Sequence, residues 1–330
     1  MNTATLTNNE NDYSDCYGCG LCTLVCPVWH QNHDVCCTPH GHAKAMQANS
    51  DVNVIGLFDC ILCGACEPVC PANIEIMKMM IELRQNHTDE KLLPLKSKSL
   101  SDNSITSQVL FLADDALLKN KMQSNNSLLS QTLKLLNSTD TGQVSQAQDN
   151  GSDISKAIKS GVEISPVRLE EFLTSISSAT KLIVSDCLLR TALQQWLPSL
   201  KIISLGYVLS NLSLIKNKLS ERDLYVIECR AYNANFQKMV THYNQLKQHS
   251  GCQLNLDLQR LAMPTGGLDI NKHRLDSKTT MTTFDPHKQS QWILQGLNVD
   301  RIVVESVEDG MAMMQVSDKP IIHLTELLSS

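Results

Sequence analysis

Cys16-Tyr17-Gly18-Cys19-Gly20-Leu21-Cys22-Thr23-Leu24-Val25-Cys26-Pro27 and Cys60-Ile61-Leu62-Cys63-Gly64-Ala65-Cys66-Glu67-Pro68-Val69-Cys70-Pro71 are one pattern written twice. Each run reads Cys-x-x-Cys-x-x-Cys-x-x-x-Cys-Pro. Three thiolates two residues apart can wrap one turn of chain around three corners of an iron–sulfur cubane. The fourth iron must then be reached from elsewhere. Pro27 and Pro71 remove a backbone donor and stop the local helix where the chain turns away. Gly18, Gly20 and Gly64 let the backbone approach sulfide closely. A zinc site commonly pairs two Cys-x-x-Cys units far apart, which two identical four-member runs do not match. A [3Fe–4S] site usually lacks a middle cysteine, and here none is missing.

Outward from these runs, composition narrows the rest. The 330 residues suffice for two or three domains, with 42% hydrophobic and 19% charged residues and a formal net charge of −6. No basic excess exists to hold a nucleic-acid backbone. The longest apolar runs fall far short of the ~20 residues of a membrane helix. Met1 to Asp12 is polar and Asn-rich, unlike a secretory signal. The expectation is a cytoplasmic chain, or one peripheral at the inner face of the membrane through a partner. Ten of the thirteen cysteines lie between Cys16 and Cys70. A disulfide scaffold would spread them through a small secreted domain.

The spacing resembles that of bacterial two-cluster ferredoxins, in which the fourth cysteine of each run ligates the other cluster. The resemblance implies two [4Fe–4S] clusters. One takes Cys16, Cys19, Cys22 and Cys70. The other takes Cys60, Cys63, Cys66 and Cys26. The long gap Pro27 to Asp59, and Ile74, Ile76, Met77, Met80 and Ile81 near helical spacing after it, resemble helical ferredoxin domains. These occur in succinate dehydrogenase iron–sulfur subunits and in the ferredoxin-type component of heterodisulfide reductase. They also occur in the iron–sulfur subunits of glycolate oxidase and of anaerobic glycerol-3-phosphate dehydrogenase. In those last two families a Pro-Arg-Gly-Arg-like element fills the gap. Here Thr38-Pro39-His40-Gly41-His42 stands in its place, with histidines for both arginines. Cys36 and Cys37 lie in the same gap. They either bind a third metal with His33, His40 and His42 or are two semi-buried thiols beside the clusters. Trp29 is expected to shield a cluster from water.

Ser97 to Ser107 reads as a linker, and Asn137 to Ser155 as a long exposed loop. Strand-like runs recur about a hundred residues apart. Val109-Leu110-Phe111-Leu112 is answered by Leu224-Tyr225-Val226-Ile227, the run Lys181–Cys187 by Arg301–Ser306, and Leu200–Leu205 by Lys319–Leu324. This order resembles the paired cysteine-rich CCG domains of the same families, heterodisulfide reductase included. Most of their ligands are missing. Arg190 stands where the Cys-x-x-Cys begun by Cys187 would end. Met263-Pro264-Thr265-Gly266-Gly267 replaces a Cys-Cys-Gly, and Ser306-Val307-Glu308-Asp309 a Cys-x-x-Cys. Cys187, Cys229 and Cys252 are expected to bind no metal, since one or two thiolates cannot hold a cluster.

The resulting fold class is α+β. A polar tail (1–12) precedes a helical 2[4Fe–4S] ferredoxin-like domain (13–96). A linker (97–107) leads to two degenerate α/β CCG-like repeats (108–215 and 222–330). No nucleophile–base constellation, Walker loop or dinucleotide fingerprint is present. Asp285-Pro286-His287 reads as a helix start, and His242, His249, His273, His287 and His323 as surface or structural residues. The resemblance implies an electron-transfer subunit without its own substrate site. Its donor would be a flavin-containing dehydrogenase partner, and its acceptor a quinone, through a membrane quinone-reducing partner, or another carrier. Two alternatives stand beside it. One is a redox-sensing or accessory iron–sulfur protein. The other is a thiol–disulfide enzyme like heterodisulfide reductase, which would need the missing CCG ligands.

Overall fold

The computed structural model describes residues 12–52, 54–88, 109–122, 127–138, 142–266 and 284–328. The expected linker 97–107 and nearly all of the tail lie outside them. The cysteine region is a set of short helices, Leu21–Leu24, Pro27–Asn32, Pro39–Gln47 and Val54–Asp59, followed by the longer Ile76–His87. Local chemistry starts and stops them. Pro27 and Pro39 occupy first-turn positions, where a missing N–H costs nothing. The Thr38 side chain accepts from the Gly41 amide and caps the second of these. Along Ile76–His87 the residues Ile76, Met79, Met80 and Leu83 are buried at helical spacing, and Arg84 is buried with them.

Beyond residue 108 lie two parallel sheets. The first contains β1 (Val109–Leu112), β2 (Val144–Gln146), β3 (Lys181–Val184) and β4 (Lys201–Ser204) in the order β2-β1-β3-β4. The second contains β5 (Asp223–Val226), β6 (Gln253–Leu254), β7 (Arg301–Val304) and β8 (Ile321–His323) in the order β6-β5-β7-β8. The central strands are near-continuous apolar runs because successive residues, facing opposite sides of the sheet, are buried alike. Six of the eight strands coincide with runs legible in the sequence. Strands β2 and β6 are too short and polar to show a pattern.

Asn137 to Ser155 is not an exposed loop. It contains β2, paired in register with β1 through Val109 and Val144, and the start of the helix Ser152–Ser160. Val144, Ala147, Asp149 and Ile154 are buried there. Polarity misled because Asp149 and Asp153 face Arg168 at 2.9 and 2.8 Å rather than water. The helix Pro286–Leu294 does start at the Asp285 cap, whose carboxylate accepts from the His287 and Lys288 amides.

The cysteine region is bolted to both sheets. Arg84 donates to the Lys159 carbonyl at 2.7 Å, and Thr88 Oγ1 to the Ser160 carbonyl at 2.9 Å. Gln31 exchanges hydrogen bonds with the backbone of Asp285 at 2.9 and 2.6 Å. Both hydrophobic cores run from the cysteine region into the sheet units.

Candidate iron–sulfur centres

The two cysteine runs share their opening turn geometry, although the first goes on into the helix Leu21–Leu24 and the second into turns. Gly18 and Gly20 of the first have φ of 85° and 75°, and Leu62 and Gly64 at the matching positions of the second have φ of 51° and 74°. Only glycine adopts this left-handed region without strain, so Leu62 is held there against a cost of ~1–3 kcal/mol. Such turns expose successive N–H groups on one side, as suits sulfide and thiolate acceptors.

Two concave spaces result. One is lined by Cys16, Cys19, Cys22 and Cys70, with Pro39, His40 and apolar Ala43, Ile74, Ile76 and Met79. The other is lined by Cys26, Cys60, Cys63 and Cys66, with Val28, Ile61, Ala65, Met77 and Met80. They are alike in size, about 440 and 360 Å³ with their open mouths. Each takes three cysteines from one run and the fourth from the other. Among the described residues no three His, Cys, Asp or Glu side chains converge closely enough for a single ion. A cubane spreads its four thiolates more widely than one ion does, so this donor set fits a cluster.

Burial differs between the spaces. Cys19 is exposed and Cys16, Cys22 and Cys70 half-buried, whereas in the second space Cys26, Cys63 and Cys66 are buried and Cys60 half-buried. Burial, with the neighbouring cysteines, pushes the Cys22 thiol up to about 11. It pushes Cys63 up to about 12 and Cys26 and Cys66 well above the ordinary thiol range. For these four thiols burial favours the protonated form, and a metal would have to drive their deprotonation.

Residues remote in sequence fix the second loop. Arg84 donates through Nε and Nη2 to the Leu57 carbonyl and through Nη2 to that of Cys60. Arg230, at the start of the helix Cys229–Ala234 after β5, donates to the carbonyls of Leu62 at 2.9 Å and Ile61 at 3.1 Å. Asn233, one turn on, donates to the Cys63 carbonyl at 3.0 Å. The first loop is held by Lys44 Nζ and Gln47 Nε2, both on the Cys16 carbonyl, at 2.6 and 2.9 Å. None of these anchors was read from the sequence. For Arg84 there was a signal, a charge set on the apolar stripe of an amphipathic helix.

The remaining candidates disperse. His42 is fully buried, and burial pulls it down to about 4. His40 lines the first cavity, and His33 packs edge-on against Trp29. The three histidines and Cys36 and Cys37 therefore do not form one site. Trp29 lines neither cavity and packs on the core instead. Cys187, Cys229 and Cys252 are buried. Among the other histidines, His242 bonds Ser210 and His323 bonds Thr325 and the Glu305 carbonyl, while the exposed His249 and His287 bond Asn217 and Gln315. His273 lies outside the described residues.

Residues 12–74 match the family model of the 4Fe-4S dicluster domain. This segment is ferredoxin-type, iron–sulfur and metal-binding, of the electron-transport kind. Its match ends beyond Cys70, so both runs fall inside it. No curated protein matches the chain. Among the described residues no helix is long and apolar enough to cross a membrane.

Proposed function

We propose that the chain is an electron-transfer component carrying two [4Fe–4S] clusters, one held by Cys16, Cys19, Cys22 and Cys70 and the other by Cys60, Cys63, Cys66 and Cys26. The observation that carries this reading is the shared lining of each cavity by three thiols of one run and the last thiol of the other. Bound clusters supply one-electron oxidation and reduction at little structural cost. The chain's own residues do the rest. Ala43, Ile74, Ile76 and Met79 on one side, and Val28, Met77 and Met80 on the other, give each cluster an apolar wall.

The sheets with their common strand order are read as halves of a duplicated, CCG-like unit that has lost its ligands. In this reading the C-terminal part is a platform rather than a second redox site. A flavin-containing dehydrogenase is the donor, and a quinone-reducing partner or other carrier the acceptor. The test is anaerobic isolation with bound partners, followed by stopped-flow reduction. Cluster reduction by a co-isolated flavoprotein and its substrate supports the reading. Clusters that stay oxidised with every flavoprotein donor, yet decay in a defined reaction with air, argue for a sensor instead.

A further inference from the structure

The loop Cys60 to Cys63 is gripped in a way the first loop is not. Its four successive carbonyls each accept a hydrogen bond from a buried side chain: Cys60 from Arg84, Ile61 and Leu62 from Arg230, and Cys63 from Asn233. Arg84, Arg230 and Asn233 are 0, 4 and 3% exposed. In a trans peptide the N–H points opposite to the C=O. Drawing these carbonyls outward turns the N–H groups of Ile61 to Gly64 the other way. Among the described residues, those of Ile61, Leu62 and Gly64 have no acceptor.

The two guanidiniums also bring charge, and the hydrogen bonds named above spend their donors on neutral carbonyls. The acids that act on Arg230 through space are Glu228, Asp186 and Glu308, and on Arg84 it is Asp59. At the first loop the corresponding cation is the half-buried Lys44, on the single carbonyl of Cys16.

Reduction adds one negative charge to a cluster. A fixed buried cation, and N–H groups aimed at sulfur, favour the reduced form and raise the potential. We infer that Arg230 and Asn233 of the second sheet unit, together with Arg84, are positioning residues that set the potential of the cluster in the Cys26–Cys60–Cys63–Cys66 cavity. The second sheet unit thus completes the electronic environment of that centre. This rests on the cluster assignment proposed above.

The test is a potentiometric titration, followed by electron paramagnetic resonance, of the full cluster-loaded chain. Arg230→Gln removes the positive charge while Glu228, Asp186 and Glu308 stay in place, so the local charge changes in one direction. It is expected to lower the midpoint of one cluster by at least 59 mV, a tenfold change in its oxidised-to-reduced ratio, and leave the other unmoved. Arg230→Lys, which keeps the charge, is expected to recover at least half of the shift. The shifted signal must be the one that Cys63→Ser abolishes and Cys19→Ser spares. Unmoved midpoints in Arg230→Gln, or equal shifts in the Gln and Lys variants, overturn the inference. A wild-type chain without two clusters fails the underlying reading instead. Should Arg230→Gln lose iron, Arg84→Gln repeats the test from the other side of the loop. A fall in the same midpoint is expected, and no fall overturns the inference.

Discussion

Cys70, the last cysteine of the second run, lines the same cavity as Cys16, the first cysteine of the first run. Cys26 crosses the other way to join Cys60. The crossing gives a test that single mutants do not. Cys16→Ser combined with Cys70→Ser is expected to cost one cluster and leave roughly four irons per chain. Cys60→Ser combined with Cys70→Ser is expected to cost both. Iron and sulfide counts on anaerobically reconstituted variants check this. An uncrossed arrangement reverses the two results.

Gly161 ends the helix Ser152–Ser160 with φ of 73°. A Cβ there would lie 2.5 Å from the carbonyl carbon and Cβ of Arg84. Gly161→Ala combines a left-handed backbone with a clash against main chain that cannot yield easily. It is expected to cost roughly 2–4 kcal/mol and to loosen the seat of Arg84. A thermal midpoint within a degree of wild type would show that the contact is slack.

Arg168 is buried between Asp149 and Asp153 at 2.9 and 2.8 Å. Burial alone would raise the Asp153 carboxyl, but the guanidinium outweighs it and holds the group below the usual carboxylate range. Arg168→Ala removes the buried guanidinium that both acids bond. A loss of about 3–5 kcal/mol is expected, measured by denaturant unfolding against Asp153→Asn as the partner variant.

Much of the candidate site was legible because a cluster demands its ligands at fixed local spacing, and Cys16 to Cys26 carries that demand in eleven residues. The strands β1, β3, β5 and β7 were legible because buried parallel strands are unbroken apolar runs. What could not be read is what distance in sequence hides. Arg230 and Asn233 meet Ile61, Leu62 and Cys63 only through the tertiary fold. The buried Arg168–Asp149 pair made its segment look like loop, since paired charges and solvated charges are written with the same residues. Leu62 in a glycine conformation was equally invisible, because nothing in a leucine's local sequence signals a positive φ.

Glu305 is buried, and burial pushes its carboxyl up to about 7 despite hydroxyl donors from Tyr243 and Tyr225 and the Glu228 amide. In the unfolded chain it titrates near 4.3. Below that pH both states are protonated and the group is neutral to stability. As pH rises towards 7 the unfolded chain ionises first, so stability falls, and above 7 the loss is complete. Relative to Glu305→Gln, wild type is expected to lose roughly 2 kcal/mol between pH 5.5 and 7.5. Denaturant midpoints across that window check it. A constant gap between the two proteins would mean that Glu305 is not protonated when folded.

The most direct measurement is iron and acid-labile sulfide per chain on anaerobically purified protein, with electron paramagnetic resonance of the reduced form. About eight of each, with signals from two interacting one-electron centres, is the result expected for two [4Fe–4S] clusters. One or two metals per chain with no labile sulfide would contradict the account.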